Sequence, residues 1–312
     1  MRSLLAILWL PILCWACSGA PKPAADPRPS DEGGAARAPA APASARASVA
    51  SADGKTAFRF ALPAPGSERI DRESFALGID VVLTEKGKRI ASERNGEGKR
   101  MVRHTTVLAH DGRAITKKKV RYETLEKTVQ KGEREARTPS PLTGKTYLVS
   151  LSNGKTVLES EAGQPVSEVE AEALLDDNKE FGKPPQFATF VPKHALSPGE
   201  KFTPPEAALA EMFGGKSSGK SYGDVEFTFV GTEVRGGKPV GRFDFRMTIE
   251  DRHEGGSTVI QSKGTVLLLV DGGWPVELTL AGDVKLDARG QKPGQVVSGS
   301  GKLEMKLAAE YP

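Results

Sequence analysis

Cysteine is almost missing from this chain. Cys14 and Cys17 are the only two, and both stand within the first seventeen residues. Everything after Ser18 must fold with no internal disulfide and no thiolate metal site. Histidine is nearly as scarce, at four residues. His104, His110, His194 and His253 include no pair with helical metal-site spacing, and no His-Glu-x-x-His run occurs. His104 and His110 share a strand parity, but six residues of extended chain separate them by about 20 Å, too far for one ion. No sign of charge dominates either. Lys and Arg total 44 against 40 Asp and Glu, a net of +4. Lys117-Lys118-Lys119 is the only short basic run, and it reads as a solvated strand end. This balance excludes a nucleic-acid partner.

Catalytic signatures are missing as well. Gly-x-Ser-x-Gly, a Walker loop and a dinucleotide fingerprint do not occur. Ser298-Gly299-Ser300-Gly301 reads as a flexible turn entering the final strand. Carboxylates are scattered, so no glycosidase pair can be assigned. Asp176-Asp177 closes a helix, where anions are slightly disfavoured. That pair signals either a cation site or, the simpler reading, a solvated helix end. No catalytic residue, metal ligand or cofactor site is therefore assigned. Trp274, the sole tryptophan after residue 15, follows Gly272-Gly273 and precedes Pro275. Its parity with Val276, Leu278 and Leu280 makes it a core residue of the sheet; the alternative is an aromatic lip on a cavity.

What is present begins at the N-terminus. Met1-Arg2-Ser3 is a short basic start, and Leu4–Leu13 is apolar except for Pro11. Cys14-Trp15-Ala16-Cys17-Ser18-Gly19 follows. The run is too short for a stable membrane span and reads as a secretory signal over 1–16. It resembles the signals of bacterial lipoproteins, in which a small residue precedes a cysteine that is lipidated and becomes residue one. Ala16 fits the position before the cysteine, and Ser18 and Gly19 the small residues after it; Cys14 stands where such signals carry Leu. The resemblance implies lipidation at Cys17, a membrane partner through that anchor, and a place in the bacterial cell envelope. Ser18 rather than Asp points to the outer membrane. The alternative is plain secretion, with cleavage after Ala16 or Ala20.

Residues 17–53 then form a tether rich in Ala, Pro, Ser and Gly, with Val49 its only bulky aliphatic side chain. Such a segment buries too little apolar surface to offset its ordering entropy, and its prolines keep it extended.

From residue 54 the period changes to two. Phe75, Leu77, Ile79, Val81 and Leu83 alternate with smaller or polar residues; so do Phe243, Phe245, Met247 and Ile249, and Leu303, Met305 and Leu307. Val225, Phe227 and Phe229 share a face. This is the pattern of antiparallel strands with one buried face. Asp111-Gly112, Asn153-Gly154, Gly236-Gly237, Gly255-Gly256 and Gly272-Gly273 mark hairpins. Ser167 with Glu170 forms a capping box for one helix, ending near Asp177. Thr203 with Glu206 forms another, with Pro204 at the first helical position and Gly214-Gly215 as the stop. The expected fold is mainly antiparallel β (α+β) over 54–312. A curved sheet or open half-barrel meander carries two short helices in an insert at about 165–215. Val169, Leu174, Leu175, Leu209 and Phe213 are its expected contacts with the sheet.

The stretch from Gly264 to Leu286 runs strand, Asp271-Gly272-Gly273, Trp274-Pro275, strand, then Asp287 in a turn. In this it resembles the late hairpins of the LolA/LolB-type half-barrels. The whole layout is similar to envelope lipoproteins with a Pro/Ala tether. Signal, tether and a β domain without catalytic marks point to a binding or structural module of the cell envelope, with an apolar ligand or an envelope protein as partner. An envelope hydrolase with an unrecognised site is the alternative.

Overall fold

Alternation of apolar and polar residues writes long strands into this chain, and turns at positive φ fold them back on one another. The computed structural model describes residues 54–213, 220–253, 255–290 and 292–312. The signal at 1–16, Cys17, the tether to residue 53 and the Gly214-Gly215 stop lie outside the described residues.

The first half contains β1 (Arg59–Phe60), β2 (Glu68–Glu85), β3 (Lys88–His110), β4 (Ile115–Lys131), β5 (Arg134–Pro139), β6 (Thr146–Ser152) and β7 (Lys155–Ser160). The middle contains α1 (Glu168–Asp177), a 3-10 turn at Gln186–Thr189, β8 (Lys201–Phe202) and α2 (Glu206–Phe213). The second half contains β9 (Lys220–Arg235), β10 (Lys238–His253), β11 (Gly256–Leu269), β12 (Asp271–Gly272), β13 (Pro275–Arg289) and β14 (Gln295–Glu310). Twelve strands form one sheet in the order β7-β6-β4-β3-β2-β14-β13-β11-β10-β9-β8, with β5 beside β4. The sheet is mostly antiparallel β and does not close into a barrel, as the alternation implied. It is two meanders joined where β14 runs antiparallel to β2, from Gln295 opposite Glu85 to Glu310 opposite Ile70. β1 and β12 pair in parallel beside it.

The turns follow their chemistry. Asn153 and Gly154 both take positive φ (50° and 74°) between the paired residues Ser152 and Lys155. Gly236 and Gly237 do the same between Arg235 and Lys238. Gly272-Gly273 is not a simple hairpin, because Gly272 belongs to β12 and pairs with Phe60. Ser298-Gly299-Ser300-Gly301 is not a turn but lies inside β14. A Cβ on Gly301 would stand 2.0 Å from Gly78 O, so this glycine serves close strand approach.

The inner face carries two separate apolar clusters. The larger gathers Phe227, Phe229, Phe243, Phe245, Leu268 and Leu286 of the second meander with Leu77, Ile79 and Val81 of β2. The smaller gathers Met101, Val120, Tyr122, Leu142, Tyr147 and Val149 of the first meander. The chain leaves the sheet at the β7 edge and re-enters at the opposite β8 edge, so the middle segment crosses between them. On the way Leu174 enters the smaller cluster, while Phe187, Phe190, Leu209 and Phe213 enter the larger one. Leu174, Leu209 and Phe213 are buried as expected. Val169 and Leu175 are instead 64% and 48% exposed, because α1 turns only a narrow stripe inward.

The Ser167–Glu170 capping box is present in full. The second box is not. Thr203 Oγ1 donates to Val225 O at 2.8 Å, tying the segment to β9, and α2 begins two residues past Pro204, at Glu206.

Candidate functional site

Between the two clusters, under the C-terminal end of α1, the inner face turns from apolar to charged. Asp71 of β2 shares odd parity with Phe75, Leu77 and Ile79 and so faces inward; its side chain is 1% exposed. Arg69 Nε donates to Asp71 Oδ1 at 2.6 Å. Arg103 of β3 donates from Nη2 to Asp71 Oδ2 at 3.0 Å and from Nη1 to Asp177 Oδ2 at 2.8 Å. One guanidinium thus bridges the sheet to the end of α1. The Tyr122 hydroxyl, below it on β4, also donates to Asp177 Oδ2. The cation signalled by the unfavourable acid at a helix end is therefore a guanidinium of this chain. Asp176 points outward toward Lys179 at 4.0 Å.

Electrostatics follow from burial and pairing. Burial pushes the Asp71 carboxyl up, but Arg69 and Arg103 together hold it below its ordinary value. Burial likewise opposes ionisation of Asp177, and Arg103 with the Tyr122 hydroxyl more than offsets it. Burial, then the charge on Asp177, drives Tyr122 upward, so it stays a neutral donor. Arg103 rises well above its ordinary value despite burial, because both carboxylates favour the cation. Both carboxylates are ionised and occupied at neutral pH.

The network forms the floor of a cleft of about 290 Å³. That is at the small end of ligand-site volumes, which start at roughly 300 Å³. Phe181, Pro185, Val107 and Ile115 contribute an apolar wall, and Trp274 and Tyr311 line the mouth. The Arg69 guanidinium lies 6.0 Å from the Trp274 ring centre and 5.8 Å from that of Tyr311. Trp274 Nε1 donates to Ala61 O at 2.7 Å, and its ring meets Phe60 at 5.3 Å. Trp274 thus lies outside the larger core cluster that holds Leu278 and Leu280. The ladder slips between Leu267 and Leu268, which breaks the parity with Leu278 and Leu280. Trp274 packs instead on the small satellite cluster of Val240, Leu267 and Leu269 and forms a lip.

Lys118 also lines the cleft. The lysine run does not behave as one solvated strand end. Lys117 is exposed and Lys119 reaches Glu161 at 3.7 Å, but Lys118 shares parity with the buried Val120 and Tyr122. Its ammonium sits 5.3 Å from the centre of the Phe181 ring. Burial, then repulsion by Arg103, lowers its pKa to about 8. Among the described residues, two buried polar atoms here lack partners: Arg103 Nε and Asn178 Oδ1.

His104, His110 and His194 do not converge. His104 lies between Glu68 and Glu123 at 3.4 and 3.1 Å, and His194 meets Glu200 at 2.6 Å. No group of three potential metal-binding side chains occurs among the described residues. A second, larger groove of about 670 Å³ is shallow and walled by strand residues such as Arg246, Lys263, Asp283 and Lys302. Lys302 is already paired with Asp283 there.

No family model and no curated protein matches this chain. Among solved structures it is similar to one titled for lipid–protein interactions in lipovitellin, at 11% identity and a TM-score of 0.32. That match covers 79% of this chain and 25% of the other, so the chain spans about a quarter of the lipovitellin chain. It is also similar to Ail, the attachment invasion locus protein of Yersinia pestis, at 6% identity and a TM-score of 0.15, covering 78% of this chain and 99% of that one. At these scores neither likeness bears on function. No helix among the described residues is long and apolar enough to cross a membrane.

Proposed function

We propose that this protein is a cell-envelope binding module, held to a membrane by lipid on Cys17 and holding a small amphiphilic ligand in the cleft beneath α1. The observation that carries the binding part is the cleft itself. An apolar wall of Phe181, Val107 and Ile115 faces a floor of buried ionised groups, at the place where the crossover after α1 lies over the sheet. Such a pairing of apolar area with a few convergent polar groups is the general form of a small-molecule site. The anchor rests on the signal sequence.

Two measurements test it. Cys17→Ala should move the protein from the membrane fraction to the soluble one; continued pelleting, or no labelled palmitate in the wild type, would remove the anchor. Native mass spectrometry of gently extracted protein should show a bound small molecule, lost in a Val107→Trp variant that fills the cleft. An apo spectrum for both would remove the ligand.

One observation favours the second reading, an envelope hydrolase: Lys118, lowered to about 8, lies in a cleft of titratable groups. A hydrolase also needs a nucleophile within hydrogen-bond reach of a base. Ser67, the serine on the cleft wall, gives its hydroxyl to Ala64 O at 2.5 Å. Turnover of p-nitrophenyl octanoate that Lys118→Met abolishes would reverse the order of the two readings.

A further inference from the structure

Charge in the cleft is complementary except at one position. The carboxylates come first. Asp71 is taken by Arg69 and Arg103, and Asp177 by Arg103 and Tyr122. Glu180 meets Lys183 at 3.2 Å, Glu68 meets His104, and Glu211 accepts from Phe187 N. Among the cations, Arg69, Arg103 and Lys183 all hold carboxylates in return. Among the described residues, Lys118 alone of the charged groups of the cleft has no oppositely charged partner within ion-pair distance; its ammonium meets the Phe181 face, and Asp177 and Asp71 attract it only from farther off. An unpaired ammonium on a half-buried wall is costly unless something of opposite charge arrives. Arg103 Nε, buried and without an acceptor, leaves the same sign unfilled beside it.

We infer that the ligand of this cleft carries one anionic headgroup, a carboxylate or phosphate, that ion-pairs with Lys118 while its apolar part lies along the wall of Phe181, Val107 and Ile115. This rests on the binding-module reading and specifies its ligand class. The two inner carboxylates are committed to guanidinium and phenol, so they do not compete for Lys118. They also exclude cationic headgroups, for which the cleft has no free anion. Phe181 presents its ring to the ammonium and the rest of its surface to the cleft, so head and tail would meet at adjacent points.

Trp274 at the mouth supplies the readout. In a full-length chain carrying Trp9→Phe and Trp15→Phe it is the only indole. Titrations with octanoate, octyl phosphate, octanol, octyltrimethylammonium and inorganic phosphate should separate the cases. Octanoate and octyl phosphate should shift the Trp274 emission saturably, with octanol at least tenfold weaker and octyltrimethylammonium inert. Lys118→Met should weaken the two anionic amphiphiles about tenfold or more and leave octanol unchanged, and Lys118→Arg should restore them. If octanol binds the wild type as tightly as octanoate, the anionic headgroup is wrong while the binding module stands. If inorganic phosphate alone matches octyl phosphate, the site takes free anions and the amphiphile is wrong. If no probe shifts Trp274, the cleft is not a binding site and both readings fall.

Discussion

The two meanders share one sheet but are covered by different chemistry. Over the second meander the cover is aromatic. Phe190, just past the 3-10 turn, stands edge-on to Phe227 at 4.9 Å, Phe227 stacks on Phe245 at 4.9 Å, and Phe202 meets Phe243 at 5.7 Å. Over the first meander it is mixed. Tyr122 and Tyr147 are fully buried rings, but each sends its hydroxyl to a carboxylate of α1, Asp177 and Glu170 respectively. The aromatic half needs no specific partner to be satisfied, since dispersion and burial are non-directional. The mixed half is satisfied only if each polar atom finds its partner. A site that must bind something is more easily built in the second kind of environment, and the cleft is there.

That contrast makes its largest prediction about one residue on each side. Phe243→Ala should cost about 3–5 kcal/mol, as large aromatic truncations in a packed core do. Arg103→Met should cost a similar amount, about 3–5 kcal/mol, for a different reason: it strands Asp71 and Asp177 without their shared cation. The pH dependence tells them apart. Asp71 and Asp177 have folded-state pKa values below their unfolded ones, so their contribution is present above pH about 4 and is lost as pH falls through the folded values. Wild type and Phe243→Ala should therefore lose stability in parallel on acidification. In Arg103→Met the stranded carboxylates prefer the proton, so its deficit against wild type should shrink toward pH 3. Urea unfolding at pH 7 and pH 3.5 measures both; an Arg103→Met deficit that stays constant would mean the network adds no charge-specific stability.

A smaller pair tests how α1 is attached. Leu174→Ala should cost about 2–5 kcal/mol, because its side chain is fully buried against the tyrosine cluster. Leu175→Ala, one residue on and half exposed, should stay within about 0.5 kcal/mol. Equal losses would mean that α1 sits with a different face to the sheet.

The fold was legible because its signals are local. Period-two alternation placed Leu77, Ile79, Phe243 and Phe245 inward, and Asn153-Gly154 placed a turn with no long-range information. The helix stripe was half legible: ten residues of α1 carry Val169, Leu174 and Leu175, and nothing local says which of them meets the sheet. The site was hidden by the same alternation that revealed the strands. Asp71, Arg103 and Lys118 occupy inward-facing positions, where a charged side chain contradicts the strand pattern. Lys118 passes for the middle of a solvated run because its neighbours are lysines. Ladder slips between Val102 and Arg103 and between Val107 and Ala109 blur the parity that would have exposed the conflict. The readable trace was Asp177, an acid at the wrong end of a helix. Charged residues at inward parity on neighbouring strands, beside such an acid, would have located the cleft from sequence.

The smallest effect sharpens the comparison at the cleft itself. Lys118 has a folded-state pKa of about 8, below the usual lysine value near 10.4, because its wall is desolvated and Arg103 is close. Between those two pH values the unfolded chain binds more protons at this position than the folded one. Stability contributed here must therefore rise as pH increases from about 8 to about 10. Lys179, also lowered by burial, adds a rise of the same sign, so the informative quantity is the difference between variants. Above pH about 10 the buried tyrosines act the other way. Tyr222 and Tyr311, held up near 12 by burial, keep their protons in the folded state and lose stability relative to the unfolded chain as pH rises. Lys118→Met should flatten the rise between pH 8 and 10 and leave the fall above it, while no substitution in the phenylalanine half should alter that rise. At pH 7 the variant should be as stable as wild type or more so, since it removes a half-buried cation that has no carboxylate within ion-pair distance among the described residues. A loss of stability at pH 7 would mean that Lys118 supports the network, and its vacancy would no longer point to a ligand.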